Sequence, residues 1–523
     1  MHEIIIIGSG PSGVASALEF SSHNIKPLVL DVGYETEKVI ESQENLYTLK
    51  ENKQTTDFLI GEDFEYFKSH KQKIPAKLKS PYFQFVTKSP DFFSIIKNNN
   101  NIITSYAKGG LANAWGNGLM RFSKDEFDEL PISLDDLLPF YVKLENEIGI
   151  SGKNDDLIDF FGKSSSLQDP LKRSKKTKIL YDKYQAKKES LNDKGIYLGA
   201  PRLGVSNNSY DVRDKCKYDN LEFWQPNHKS LYNPSMTLDK LINAKMIDYQ
   251  NSVFIDRWEK VGDRIEVIAY NINTKKETRF QTKKLLLAAG TLNTSRIVLK
   301  SKKDYLSKLT FIDNPSIQIP IFFPHLIGSA MEINCFGLTQ LNLFYKSEIL
   351  NKNNMGAILE ISSPLRSEFL SRLPFGLRDN INFIKYVVPC MMACQIFLPS
   401  IKALSMEISL LKNGDINVNS RVGSIPKKLI SEAVSKLKAI GMFTFESLAM
   451  ASSNGNSIHY GGTLPMSKKP SSPYHTTIFG ELSQDKNIYI LDGSCFGSIP
   501  ATSYSLSVMA NAMRISQNIV TKL

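Results

Sequence analysis

The stretch IIIIGSGPSGVASALEF (Ile4–Phe20) restricts the fold more tightly than any other part of the chain. Four successive isoleucines suit a strand buried on both faces of a parallel sheet. They run into Gly8-x-Gly10-x-x-Gly13 and then into small residues that begin a helix. Gly8 permits the tight turn, Gly10 lets the backbone approach a pyrophosphate, and Gly13 lets the helix pack close to the strand. Ser9 and Pro11 lie within the turn. The phosphates would rest on the free N–H groups of the helix start. Context strengthens the pattern: KPLVLD follows as a second strand and ends in Asp31, eighteen residues after Gly13. A carboxylate there can bind ribose hydroxyls and would repel a 2′-phosphate. The motif predicts a dinucleotide site on a doubly wound α/β sheet, and it does not separate NAD from FAD.

Two later stretches bear on that choice. In SYAKGGLANAWGNG, from Ser105, Gly109-Gly110 followed by Asn113 and Trp115-Gly116 makes a loop whose backbone can lie flat against a planar ligand. In KLLLAAGTLNTSRIVLKS, from Lys284, a buried strand ends at Ala288-Ala289-Gly290 and a helix begins, which reads as a late strand returning to the same sheet. A chain of 523 residues has room for two or three lobes.

Charge and cysteine usage narrow the surroundings. The net charge is +11, densest in Lys163–Lys188. That segment reads as a solvated, partly mobile face, with contact to anionic lipid or phosphate as the sharper alternative. No aromatic-interleaved basic motif accompanies it, so a nucleic-acid partner is not expected. The cysteines (Cys216, Cys335, Cys390, Cys394, Cys495) are odd in number and unpaired in spacing, which fits a reducing compartment and predicts core thiols rather than metal ligands. The N-terminal residues show no basic leader, so a cytoplasmic location is expected, with peripheral membrane contact as the alternative. The apolar stretch from Tyr386 carries Pro389, Gln395, Pro399 and Lys402. It reads as a buried segment rather than a span, with a channel lining or a monotopic contact as the alternative.

With these pieces in place the chain resembles the glucose-methanol-choline oxidoreductases, which are FAD enzymes. The resemblance runs from residue 4 to residue 514. It includes GGLANAWG, PISLDDLLPFYVKLENEIG, LLLAAGTLNTSRIVL, HYGGTLPM (the family's H-x-x-G-T-x-x-M) and NIYILDGSCFGSIPATSYSLSVMANAMR. It is loose over about 310–440, where the family binds substrate. It implies an FAD-binding lobe with an inserted α+β substrate lobe on an antiparallel sheet. The FAD lobe would comprise 1–40, 95–135, 205–310 and 445–523; the substrate lobe would comprise 41–94, 136–204 and 311–444. It implies cofactor contacts at Gly8, Ser9, Gly10, Pro11, Gly13, Asp31, Gly109, Gly110, Asn113, Trp115, Val253, Ala289, Gly290, Asp492, Gly493 and Ser505. His459 falls on the family's active-site histidine; a packed structural histidine is the alternative.

Three departures matter. Where some relatives bond the flavin covalently through a histidine, this chain has Ala114, so FAD is expected to be non-covalent. Where others carry a cysteine-rich stretch, only Cys216 is present, so no metal is implied. Where the family pairs its histidine with Asn or His before a proline, this chain has Ser503 and Tyr504. A serine hydroxyl cannot act as a base at neutral pH, but it can donate to a substrate oxygen, with Tyr504 as a second polar contact. Losing one neutral hydrogen bond is worth roughly 0.5–1.5 kcal/mol, about a tenfold slowing. The expected reaction is oxidation of a CH–OH group to a carbonyl, with His459 taking the proton and flavin N5 the hydride. A flavoprotein with altered or no alcohol oxidation is the alternative. The substrate region is aromatic and aliphatic, with Met391 and Met392 as adaptable fillers. It predicts a sheet floor with an apolar helical cover and a small-molecule or lipid-linked alcohol, whether sugar, glycolipid or bulky apolar alcohol. IKALSMEISLLKNGDINVNS reads as two strands of that lobe joined at Asn413-Gly414-Asp415. Dehydrogenase and oxidase chemistry, and with them the electron acceptor, stay open.

Overall fold

The computed structural model describes residues 1–36, 53, 57, 60, 61, 75–220, 222, 229–361, 376–421 and 423–523. Most of the segment 41–74 assigned to the substrate lobe, and the 362–375 part of the expected substrate lining, lie outside the described residues. The first part of the chain gives β1 (His2–Ile7), β2 (Leu28–Leu30), β3 (Ile95–Asn98), β4 (Ile196–Gly199), β5 (Asp248–Gln250), β6 (Val253–Val261), β7 (Arg264–Asn271) and β8 (Glu277–Leu287). The remainder gives β9 (Leu309–Asp313), β10 (Ser316–Phe322), β11 (Thr339–Lys346), β12 (Asn353–Glu360), β13 (Met391–Phe397), β14 (Met406–Leu410), β15 (Ile416–Ser420), β16 (Met450–Ala451), β17 (Tyr460–Gly461) and β18 (Ile488–Ile490). The longer helices are α1 (Pro11–Ser22), α2 (Leu134–Ile148), α3 (Lys175–Gln185), α4 (Pro234–Asn243), α5 (Thr291–Ser301), α6 (Lys427–Ala439) and α7 (Ser505–Val520).

The α/β architecture read from the sequence is present. A parallel sheet runs β5-β2-β1-β8, with β18 on the far side of β8. The isoleucine run is its centre: Ile5–Ile7 pair with Leu28–Leu30 on one side and Leu285–Leu287 on the other, and all are buried. β8 serves twice. Its first half pairs antiparallel with β7, making a β6-β7-β8 meander, and its second half joins the parallel sheet. Small residues on α1 let α7 lie against it, with the Ser16 and Ser516 hydroxyls 2.7 Å apart.

The second lobe is a six-stranded, antiparallel sheet, β16-β10-β13-β12-β11-β4. The apolar stretch from Tyr386 supplies β13 near its middle, the buried reading; among the described residues no helix is long and apolar enough to cross a membrane. One face of this sheet buries Ile317, Ile319, Leu343, Ile358 and Ile396 against Leu180 and Tyr184 of α3 and Leu429, Val434 and Leu437 of α6. Each such aliphatic contributes roughly 1.5–3 kcal/mol when fully buried. The other face alternates out toward a cavity.

Three sequence expectations are corrected. The segment Lys163–Lys188 keeps a solvated face, with Lys163, Lys172, Lys175, Lys178, Lys183 and Lys187 exposed, but not throughout: Lys175–Gln185 form α3, and Lys176 is buried, 2.8 Å from the Glu360 carboxylate and donating to the Pro389 and Met391 carbonyls. The β14–β15 hairpin turns at Asn413–Asp415 as expected but is not part of the substrate sheet. It joins a third sheet, β17-β9-β14-β15-β3, because Met406, Ile408, Leu410, Ile416 and Val418 bury into the core of the nucleotide lobe. Helix α2, placed mostly in the substrate lobe from sequence, packs on α7 and α1: Tyr141 Oη lies 2.6 Å from Ser507 Oγ, and Lys143 pairs with Glu19. All five cysteines are free and buried.

Candidate active site

One cavity of about 770 Å³ runs from the glycine turn after β1 to the open face of the substrate sheet. At its nucleotide end the three glycines have different surroundings. A Cβ on Gly8, whose φ is +99°, would lie 2.5 Å from the Ala288 carbonyl oxygen, and one on Gly13 would lie 1.9 Å from the Gly8 carbonyl oxygen. A Cβ on Gly10 would meet nothing within 4 Å. The first two are closed by the fold, and the third opens on the cavity. Gly10 caps α1 without a side-chain bond to its first N–H groups, which leaves them for an anion. Ser9 Oγ donates to Asp31 Oδ2 and accepts from the Gly109 N–H (3.1 Å), joining the motif, the acidic residue and the glycine loop. Burial pushes the Asp31 carboxyl up to about 7.

Of the expected cofactor residues, Gly8, Ser9, Gly10, Pro11, Asp31, Gly110, Trp115, Val253, Ala289, Gly290, Asp492, Gly493 and Ser505 line this cavity. Gly13, Gly109 and Asn113 do not. Asn113 is a strut: its Nδ2 donates to Lys108 O (2.9 Å) and Gly110 O (2.8 Å), and its Oδ1 accepts from Asn233 Nδ2 (2.9 Å). Asp492 is likewise engaged. One oxygen accepts from the Gly290 N–H (3.0 Å) and Thr294 Oγ1 (2.5 Å), the other from Ser494 N (3.0 Å) and Oγ (2.5 Å). Its carboxylate therefore staples the β8–α5 turn to the β18 turn, leaving its backbone and that of Gly493 to face the cavity.

His459 stands where the two lobes meet. Asp313 Oδ2, at the end of β9, accepts from Gly455 N (2.7 Å) and Ser457 Oγ (3.4 Å), and Ser457 Oγ accepts from His459 N (3.2 Å). Between them Ile458 takes φ +63°, a left-handed conformation unusual for a β-branched residue. The imidazole sits between Phe397 (5.6 Å between centroids) and Tyr504 (5.2 Å). Its Nδ1 is buried without a hydrogen-bond partner among the described residues. With no compensating charge, burial lowers its pKa to about 4, so it is neutral at physiological pH.

Ser503 and Tyr504 line the cavity, but their hydroxyl protons do not serve it. Ser503 Oγ donates to Gly118 O (2.8 Å). Tyr504 Oη donates to Tyr460 O (3.2 Å) and accepts from Tyr460 N (3.2 Å), pairing the short strand β17 with the start of α7. The hydroxyls expected to meet the substrate, Ser503 as donor and Tyr504 as a second polar contact, are here both paired with backbone groups of neighbouring loops.

Several lining residues were not singled out in the sequence. Arg296 on α5 is buried, with its guanidinium over Phe254 (4.6 Å) and Phe93 (4.9 Å), donating to the Ile255 and Asp256 carbonyls. An arginine amid an apolar helical run was the available signal. Lys77 is buried beside Trp115, donates to its carbonyl (3.2 Å), and is lowered to about 8 by burial. Nothing in AKLK marks it. Gln318, Gln395 and Asn342 line the far end from the substrate sheet.

No family model matches the chain, and no curated protein matches it. Among solved structures it is similar to pyridoxine 4-oxidase from Mesorbium loti, at 10% identity and a TM-score of 0.62, over 100% of this chain and 99% of that one. The likeness is therefore one of fold, and it spans both lobes.

Proposed function

We propose that this protein is an FAD-dependent oxidoreductase that converts an alcohol to a carbonyl, with His459 as the base. The observation that carries the reading is the placement of a neutral, unpaired imidazole in the same cavity as the Gly8–Gly13 turn and Asp31. The cradle suits a dinucleotide: Gly10 leaves open space where a pyrophosphate would approach, and Asp31 follows β2 where ribose hydroxyls would lie. When bound, FAD supplies a hydride acceptor at N5. Ala114, Trp115 and Gly110 would flank the ring, and Val253 and Arg296 would flank the adenosine end. His459 would take the hydroxyl proton, and bound FAD would supply the acceptor for the carbinol hydrogen with its two electrons, so the alcohol would lose one proton and one hydride by separate routes. Phe397 and Tyr504 hold the imidazole in place and exclude water from one side. The fold shared with an enzyme named pyridoxine 4-oxidase supports oxidase chemistry of this kind. A small-molecule alcohol, non-covalent FAD and a cytoplasmic site of action belong to the same reading.

The engagement of Ser503 with Gly118 favours a second reading, a flavoprotein whose chemistry is not alcohol oxidation. Anaerobic flavin reduction by a panel of alcohols separates the two. Under the first reading His459→Ala retains FAD and loses reduction by about a hundredfold or more, the range of a general base's contribution. Reduction unchanged in that variant would remove His459 from the mechanism.

A further inference from the structure

The substrate sheet presents one polar row to the cavity. Gln318 on β10 lies opposite Gln395 on β13, Gln395 opposite Ala357 on β12, and Ala357 opposite Asn342 on β11. All four line the cavity, so three carboxamides stand in line across the sheet with a methyl-sized notch between them. The row two residues along runs Ser316, Phe397 and Met355, and Phe397 is the ring that packs on His459. At roughly 3.3 Å per residue, the amide row is about 7 Å along the strands from the Phe397 row.

Asn342 gives the row a direction. It is fully buried, and its Nδ2 donates to Gly356 O (3.0 Å). Its Oδ1 has no partner among the described residues, nor does Oδ1 of Asn456, on the His459 loop and lining the same cavity. A buried carbonyl oxygen left without a donor is unfavourable, and because Asn342 is closed to solvent behind the row, the amides open to a ligand are those of Gln318 and Gln395. Among the described residues of β10–β13, none that lines the cavity carries a formal charge. Of the charged residues that line the cavity, Asp31, Arg296 and Asp492 are engaged around the nucleotide motif, and Lys77 and Lys79 come from the segment beside Trp115, where Lys77 donates to the Trp115 carbonyl.

We propose that Gln318 and Gln395, backed by Asn342, select the substrate: an uncharged alcohol that carries a second hydrogen-bonding group about 7 Å from its reacting carbinol, with an apolar middle lying along Phe397. Carboxylated and phosphorylated alcohols are disfavoured because no cation among the described residues of the sheet faces them. Plain alkyl alcohols are disfavoured because they displace water from Gln318 and Gln395 and give back no hydrogen bond, Gln395 keeping only its 3.3 Å bond to Ser316 Oγ. The inference rests on the alcohol-oxidising reading, and its test is built to fail separately.

Three probes of one shape decide it: 1,4-benzenedimethanol, 4-ethylbenzyl alcohol and 4-(hydroxymethyl)benzoate. Calorimetric titration into full-length His459→Gln measures binding with the base removed, whether or not the wild type turns over. The diol should bind about tenfold tighter than either of the others, and Gln318→Leu/Gln395→Leu in that background should bring the diol and the ethyl compound within about twofold. Should the double variant not fold, the single Gln318→Leu, at an exposed position, should reduce the preference about threefold. Equal or tighter binding of the ethyl compound or the benzoate, a preference unchanged by the leucines, or no binding by any probe at about 10 mM overturns the proposal. Diol binding in that order without flavin reduction in the wild type would instead leave the amide row standing and overturn the alcohol oxidation.

Discussion

The neutral His459 has a consequence for pH that separates it from an ordinary histidine. An exposed imidazole with a pKa near 6.5 is about 90% protonated at pH 5.5, and a base in that state is idle. With its pKa lowered to about 4, His459 is only about 3% protonated there. Between pH 7.5 and 5.5 the rate constant for anaerobic flavin reduction by a neutral alcohol should therefore change by less than about twofold, where an ordinary histidine would give about a tenfold fall. Stopped-flow absorbance with the best alcohol of the panel measures this. Stability gives a second readout that needs no substrate. The folded pKa lies below the unfolded one, so the native state binds fewer protons between pH 6.5 and pH 4. Stability attributable to His459 is thus fully present above pH 6.5 and is lost as pH falls toward 4. A shift from 6.5 to about 4 corresponds to about 3 kcal/mol, and to about half that where solvent enters the cavity. His459→Gln should lack this slope in urea titrations. A tenfold loss of rate by pH 5.5, with wild type and variant losing stability in parallel, would refute the argument that burial holds the ring neutral.

The glycines and the hydroxyl pair give sharper structural tests. Gly10→Ala should fold with an unchanged melting temperature and lose FAD affinity by about tenfold or more, because its Cβ meets only open space where the pyrophosphate would pass. Gly13→Ala should unfold or melt far lower, since its Cβ would overlap the Gly8 carbonyl oxygen; flavin content and thermal melts distinguish the two. Ser503→Ala should cost about 0.5–1.5 kcal/mol of stability and slow flavin reduction less than threefold, because its proton goes to Gly118 O. Tyr504→Phe removes both bonds to Tyr460 and should cost about 1–3 kcal/mol. A hundredfold slower reduction in Ser503→Ala at unchanged stability would return that hydroxyl to the substrate.

The parts legible in the sequence were those where one local pattern has one physical solution. The isoleucine run with its glycines admits a buried parallel strand and a tight turn, and that is what β1 and α1 form. The β14–β15 hairpin was legible for the same reason, yet its owner was not. Period-2 alternation says that one face of a hairpin is buried, but not which lobe buries it. Ser503 and Tyr504 were read through the role of their position, and a side chain's hydrogen-bond partner is set by loops far away in sequence, here at Gly118 and Tyr460. The amide row was out of reach for a related reason. Gln318, Gln395 and Asn342 align only once the register of four strands is known.

Ile458 shows how the strain at the site is held. A β-branched residue at φ +63° costs of order 1–2 kcal/mol relative to glycine. The side chain is kept because it packs on the cluster of Leu78, Tyr82, Phe83, Val86 and Ile103, while the Asp313–Ser457 hydrogen bonds fix the loop on either side. Ile458→Gly removes both the strain and the packing, terms of similar size and opposite sign, since a half-buried isoleucine contributes about 1–2 kcal/mol. Net stability should move by less than about 1 kcal/mol, where an isoleucine lost from the middle of β10 should cost 2–5 kcal/mol. Flavin reduction should fall nonetheless, by about tenfold, because the imidazole is then free to leave the gap between Phe397 and Tyr504. Chemical denaturation and stopped-flow reduction on the same preparation measure the two quantities. If Ile458→Gly unfolds the protein, or is neutral in both, the strained residue is not what aims His459.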